Sequence, residues 1–418
     1  MNTKDSFTVS AWVQLSNPSA TRVVLTEPGT NGSAFALYYS SSGKQWIFNR
    51  TDRDQAVHTF VRSVADQVNP PLNVWTHLTG VFDTKGDADK SNDTIQLFVN
   101  GRPQGQPVVL IKSAPAYEPW TANEGLQMGR SKVSGKYGEN FFGLLDEVAV
   151  WQRPLTGDEI AKEAQAAVDD VPTNELVAQW DAAGATATVI PETTAYPVAS
   201  MKLAGGAAPN ADQSAVVLNG TTGYASMTGP VVDESGSFTV SASVEVDSEA
   251  LAAKPVGYTG QVAGQRTGNE SAWALWITKP AAGTYQWKFT RTALGPDGKV
   301  TQSAEVPGGD LAETDTWVQV TGVFDAQEAW DDTSDPSKTV PRYGKLHLYV
   351  GDFDQPSDAS SGFTSAQPGS GELAMGRGAK GGTTGNYLAG SLEGLRIWTG
   401  AMTANQVSFQ VQPGSGTG

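Results

Sequence analysis

One eight-residue phrase occurs twice in this chain. Ser6-Phe7-Thr8-Val9-Ser10-Ala11-Trp12-Val13 returns as Ser237-Phe238-Thr239-Val240-Ser241-Ala242-Ser243-Val244. Further phrases follow in the same order. Trp75-Thr76-His77-Leu78-Thr79-Gly80-Val81-Phe82-Asp83 is answered by Trp317-Val318-Gln319-Val320-Thr321-Gly322-Val323-Phe324-Asp325, and Leu126-Gln127-Met128-Gly129-Arg130 by Leu373-Ala374-Met375-Gly376-Arg377. The closing stretch 142–151 is answered by 389–398. Matched phrases in matched order require two copies of one fold, with length differences confined to loops.

Within the phrases the apolar residues alternate. Phe7, Val9, Ala11 and Val13 fall on one face, and similar strands are expected at 34–39, 44–49, 76–82, 94–99 and 142–151. The second copy gives 238–246, 272–277, 284–291, 316–324, 345–350 and 388–398. Turn residues such as Asn100-Gly101 and Asn219-Gly220 stand at the breaks. The expected class is all-β: two tandem antiparallel sandwiches, each ending in a short helical turn. Thr156 with Glu159 forms a capping-box pattern at the first turn, and Thr403 with Gln406 repeats it.

The expected organisation is a first domain at 1–168, a linker at 169–174, a second domain at 175–412 and a flexible tail at 413–418. The copies begin unequally. About 60 residues, including Leu176–Trp180 and Ala215–Leu218, precede the shared phrase in the second copy, but only five do so in the first. The first copy is therefore expected to lack its opening strands, which leaves a sheet edge uncovered.

These phrases resemble laminin G-like, or concanavalin A-like, jelly-roll domains of bacterial extracellular proteins. The resemblance rests on SFTVSAWV at 6–13, WTHLTGVFD at 75–83, LFVNG at 97–101 and FFGLLDEVAVWQRPLTGDEI at 141–160. It implies two antiparallel sheets and a secreted or cell-surface binding or adhesive module beside other domains of the same polypeptide. It also brings glycans, proteins and calcium into consideration, without choosing among them.

Composition narrows the partners. With 28 basic and 44 acidic residues the net charge is −16, which disfavours nucleic acid. The chain has no cysteine, and no apolar run approaches the roughly 20 residues that span a bilayer.

Three kinds of candidate site follow. Acidic loops after the central strands hold Asp83, Asp87, Asp89 and Asp93 in the first copy and Asp325, Asp331, Asp332 and Asp335 in the second. Closely spaced carboxylates suit calcium, although the EF-hand glycine and terminal glutamate are missing. Asp146 is a separate candidate ligand, because it interrupts an apolar strand. The plain alternative is a solvated acidic surface.

Tyr38, Tyr39 and Trp46 correspond to Trp276, Ile277 and Trp287, with Trp273 nearby. An exposed subset could stack on sugar rings, whereas alternation sends about half of them into the core. Arg130 and Arg377 end matched strands and could present a donor fork to a ligand, or cap loop carbonyls. No enzyme is expected: the three histidines are not shared between copies, and no strand carries alternating catalytic acids. Gly376-Arg377-Gly378-Ala379-Lys380-Gly381-Gly382 lacks the helix that a phosphate loop needs. The expected function is noncatalytic binding or adhesion, with glycans as the foremost ligand. Protein binding or spacing is the alternative, and a glycosidase the remote one.

Overall fold

The computed structural model describes residues 1–55, 57–165, 167–168, 171–172, 174–196, 198–308, 313–330, 342–351, 353–355, 362–365 and 369–410. The chain divides into two compact units, Met1–Ala167 and Val168–Gly418. Each is a sandwich of two antiparallel sheets followed by a short helix, Gly157–Glu163 in the first and Ala404–Gln410 in the second.

In the first unit one sheet runs Gly143–Trp151, Phe7–Leu15, Trp75–Asp83, Thr94–Val99 and Arg102–Pro103. The other runs Gln127–Met128, Arg22–Pro28, Ser33–Ser40, Gln45–Thr51 and Phe60–Val64. The second unit repeats both orders. Ala389–Thr399, Phe238–Val246, Trp317–Trp330 and Arg342–Val350 stand in one sheet, and Glu372–Met375, Thr259–Thr267, Glu270–Ala281, Thr284–Leu294 and Val300–Pro307 in the other. Its extra residues then widen the sheets. Glu175–Asp181 and Val216–Asn219 both pair with Ala389–Thr399, while Tyr224–Thr228 pairs with Glu372–Met375.

The alternating apolar residues build the space between the sheets. Phe7, Val9, Ala11 and Val13 from one sheet meet Phe35, Leu37, Trp46 and Phe48 from the other. Phe7 lies 5.0 Å from Phe35 and 5.6 Å from Phe82, ring centre to ring centre. Its counterpart Phe238 lies 5.7 Å from Trp273 and 5.9 Å from Phe324. Burying one such ring contributes about 2–3 kcal/mol, so the phenylalanine of the repeated phrase is a principal core element of each unit.

Local signals act as read from the sequence. Asn100 and Gly101 take φ of 49° and 74° between Thr94–Val99 and Arg102–Pro103, the conformation of a two-residue hairpin turn. The Thr156 hydroxyl accepts from the Glu159 amide, and the Glu159 carboxylate accepts from the Thr156 amide. Thr403 and Gln406 make the same reciprocal pair.

Candidate ligand-binding site

The site with a defined shape forms on the second unit. Thr259–Thr267 pairs with Glu372–Met375, and the shifts of register at Gln261/Ala263 and Gln265/Arg266 let Gln261 line the same outer depression as Arg266 and Glu372 despite their opposite parity. After Met375 the chain turns at Gly376, and Gly378–Lys380 pairs with Thr383–Gly385 in a hairpin. Hydrogen bonds hold that hairpin on the sheet. The Ala379 amide donates to Ser271 Oγ at 3.2 Å, and the Gly381 and Gly382 amides donate to the Glu270 carboxylate at 3.0 and 2.9 Å. Gln261 Nε2 donates to the Arg377 carbonyl at 2.7 Å, while its Oε1 accepts from Ser271 Oγ at 2.7 Å.

Between hairpin and sheet lies a shallow depression, lined among others by Gln261, Arg266, Ser271, Glu372, Arg377 and Thr384. Arg377 stacks 3.4 Å above the centre of the Tyr224 ring and donates through Nη2 to Glu372 Oε1. Arg266 Nη1 stands 3.5 Å from the same carboxylate oxygen. One acid therefore lies against two guanidinium groups, whose Nε–H groups find no acceptor among the described residues. Such a surface offers directed donors and little room, so it suits the end of a polar ligand rather than an enclosed molecule.

Arg130 occupies the corresponding place in the first unit with different partners. Its Nε and Nη2 donate to Gln127 Oε1 at 2.9 and 2.8 Å, and its guanidinium lies 4.0 Å from the Tyr137 ring centre. The Tyr137 hydroxyl donates to Glu124, which also pairs with Lys132.

The aromatic candidates are placed differently from an exposed platform. Tyr38, Tyr39, Trp46, Trp273, Trp276 and Trp287 are all buried. Tyr39 and Trp46 belong to the core between the sheets, and Trp273 packs on Phe238. Tyr38 sits in a small cluster with Val23, Ala36 and Ile47. Trp276 donates to Thr290 Oγ1 at 2.8 Å, and the hairpin at Gly378 approaches its ring closely. Enclosed rings present no face for a sugar to stack on, so their observed role is packing.

The acidic loops make local hydrogen bonds. Asp83 pairs with Lys85, Asp87 accepts from the Asp89 amide and Asn92 Nδ2, and Asp89 accepts from the Ser91 amide. Asp93 is buried, and burial together with Asp87 raises its pKa to about 6 against the pull of Arg50. In the second unit Asp325 accepts from the Gln327 and Glu328 amides, and burial pushes its carboxyl up. Burial would raise neighbouring Glu328 too, but hydrogen bonds from His347 and Lys345 prevail and hold it at about 2. Asp331, Asp332 and Asp335 lie outside the described residues.

Asp146 stands exposed at a β-bulge and caps it, accepting from the Glu147 amide at 2.8 Å, where Glu147 has φ of 45°. A backbone donor thus meets the need that suggested a metal. Among the described residues no three acidic or histidine side chains come together in a set that could hold a metal ion.

The sequence reading overlooked Arg50 and Arg291. Both are fully buried between the sheets, each 4.3 Å from a phenylalanine ring centre, Phe82 and Phe324 respectively. Each Nη2 donates to a carbonyl just before the repeated phrase, Thr3 at 2.8 Å and Glu234 at 2.9 Å. The signal was present as Phe48-Asn49-Arg50-Thr51 and Phe289-Thr290-Arg291-Thr292.

Two antiparallel jelly-roll sandwiches, each ending in a short helix, define the fold class. The model of the concanavalin A-like lectin/glucanases superfamily matches residues 1–161 and 219–408, and the chain belongs to that family. Similar solved structures include domain 4 of AbnA, an extracellular arabinanase from Geobacillus stearothermophilus, in complex with arabinotriose. It is 15% identical, with 57% of this chain and 99% of that chain covered and a TM-score of 0.34. The CBM40 of Ruminococcus gnavus IT-sialidase bound to α2,3-sialyllactose is 15% identical, covering 38% of this chain and 83% of that chain, with a TM-score of 0.30. Domains LG4-5 of the mouse laminin α1 chain are 10% identical, covering 95% and 83%, with a TM-score of 0.26. No curated protein matches the chain. Among the described residues no helix is long and apolar enough to cross a membrane.

Proposed function

We propose that the chain is a noncatalytic extracellular binding module whose second unit takes the end of a glycan in the depression beside Arg377. The single observation carrying this reading is the composition of that depression: guanidinium, hydroxyl and amide groups converge there, around one carboxylate held by two arginines. Sugar hydroxyls and acidic substituents are recognised by such donors. Glycoside hydrolysis ordinarily needs two carboxyl groups about 5–10 Å apart, and among the described residues Glu372 is the one acid lining the depression.

A second reading, a protein-binding or spacing region of a larger surface protein, is favoured by the burial of all six aromatic candidates. A glycan array probed with the whole chain and with Arg377→Ala separates the two. Glycan binding predicts specific signals that fall at least about tenfold in the variant, with the melting temperature as a control for folding. Absence of signals across the array, or signals that Arg377→Ala leaves unchanged, would overturn this site and favour the second reading.

A further inference from the structure

In the second unit Val407 of the closing helix and Met402 just before it cover one end of a sheet's outer face, packing with Val323, Tyr349 and Trp398. The other end of that face is open. A row of outward side chains crosses four strands there, with Trp317 opposite Glu245, Glu245 opposite Ser391 and Ser391 opposite Val217. Trp317 is 42% exposed and Val217 45%. Three strand spacings set these two apolar side chains roughly 14 Å apart, with Glu245 and Ser391 between them. The next row holds Gln319, Ser243 and Glu393. Ser243 Oγ donates to Glu393 Oε2 at 2.7 Å, and Gln319 Nε2 donates to Ser241 Oγ at 2.6 Å. The first unit fills the same place. There Trp12 and His77 stack with ring centres 5.2 Å apart, and Gln14, the counterpart of Glu245, is only 3% exposed. The second unit has Ser243 and Gln319 where those two rings stand, which leaves a shallow trough beside Trp317 lined by acids.

We infer that this trough docks a basic polypeptide segment, one of whose arginine side chains stacks on Trp317 and donates to Glu245 and Glu393. The trough presents a ring face and acceptors. Its nearest amide and hydroxyl donors, Gln319 Nε2 and Ser243 Oγ, are turned to Ser241 and Glu393, and the cation of this face, Arg396, stands opposite Ser241, nearer the helix. A guanidinium meets that pattern with its plane on the indole and its edge toward the carboxylates, whereas an ammonium has no plane to stack. Charge complementarity acts over a longer range as well. Asp315, whose carboxylate accepts from the Ser248 amide at 3.0 Å, adds an acid at the Trp317 end, and the whole chain carries a net charge of −16. The inference is independent of the glycan reading, whose depression lies on the other sheet of this unit.

A fluorescein-labelled peptide of alternating glycine and arginine, titrated into the whole chain at physiological salt and followed by anisotropy, tests it, with a lysine version as the comparison. Saturable binding is expected, tighter for the arginine peptide by at least about threefold. Trp317→Ala and Glu245→Gln each change a surface side chain, so both should keep the parent melting temperature while weakening arginine binding by at least about tenfold. Trp317→Phe should recover part of the loss, since it restores a ring face. No saturation at millimolar peptide, or binding that Trp317→Ala leaves unchanged, would reduce the effect to general attraction toward an acidic protein and overturn the proposal. Equal binding of the two peptides would remove the stacked guanidinium and overturn it too. Neutral-glycan signals that Trp317→Ala abolishes would make a sugar the occupant instead, and self-association in sedimentation that the same variant abolishes would make it a second copy; either result overturns the proposal.

Discussion

A Cβ added to Gly80 would stand 2.4 Å from Cδ2 of Phe48, and one added to Gly322 would stand 2.6 Å from the matching atom of Phe289. The glycine in each Thr-Gly-Val-Phe-Asp phrase is therefore the space in which a core ring of the opposite sheet rests. Gly80→Ala and Gly322→Ala should each destabilise the chain by about 1–3 kcal/mol, the usual cost of overpacking. Urea denaturation would measure it. Combining Gly80→Ala with Phe48→Leu should cost less than the sum of the single changes, and strict additivity would show that the ring is not the cause.

That relationship shows how far the sequence could be read. The repeated phrases revealed the duplication, most strand positions and the correspondence of Tyr38 with Trp276, which the strand register bears out. They could not reveal why Gly80 recurs, since its partner ring lies 32 residues earlier on the facing sheet. The fate of Trp276 was equally hidden. Alternation sends it to the outer face, where a solitary sheet would leave it exposed, but the hairpin after Gly376 folds over it. The depression at Arg377 likewise draws the Tyr224 ring from the segment that has no counterpart in the first copy.

His77 makes stability depend on pH in a defined direction. Burial lowers its pKa to about 3 from the ordinary 6.5, and its ring packs 5.2 Å from Trp12. The unfolded chain binds the extra proton between those values, so this contribution is complete above about pH 6.5 and is lost as pH falls toward 3. Its full size is on the order of 4 kcal/mol. Gln319 occupies the matching position in the second unit, which makes His77→Gln the natural control. Denaturation between pH 7 and 4 should show a smaller loss for that variant than for the parent chain. Equal losses would mean that His77 is protonated in the fold.

Glu234 acts with the opposite sign. Burial raises its pKa to about 7 despite Arg291 nearby, while its Oε2 accepts from the Gly369 amide at 2.8 Å. The folded state holds the proton more tightly, so stability from this group is complete below about pH 4.5 and is lost as pH rises through 7. Thr3, the matching residue in the first unit, accepts from the Ala122 amide at 2.8 Å without any charge. Glu234→Gln keeps an acceptor for Gly369 and removes the titration. It should match the parent chain at pH 4 and exceed it by about 2–3 kcal/mol at pH 8. A variant less stable at both values would show that the ionised carboxylate supports the fold through Arg291.

Arg50 joins the core to the acidic loop. Its guanidinium lies over Phe82, donates to the Thr3 carbonyl at 2.8 Å and approaches the Tyr117 hydroxyl at 3.3 Å, while its charge lowers the pKa of buried Asp93. Arg50→Ala would open a cavity and leave the Thr3 carbonyl and Asp93 without their cation, at a cost of about 3–5 kcal/mol. Lysine should recover only part of this, because an ammonium cannot stack as a plane on Phe82 while reaching both oxygens. Arg50→Met separates the two roles: it fills much of the volume but removes the charge, so the Asp93 carboxyl should titrate above its present value of about 6. Carbon-detected NMR titration would follow that carboxyl directly. If the methionine variant were fully stable and Asp93 titrated as before, the guanidinium would be filling space, and the electrostatic link between core and loop would fall.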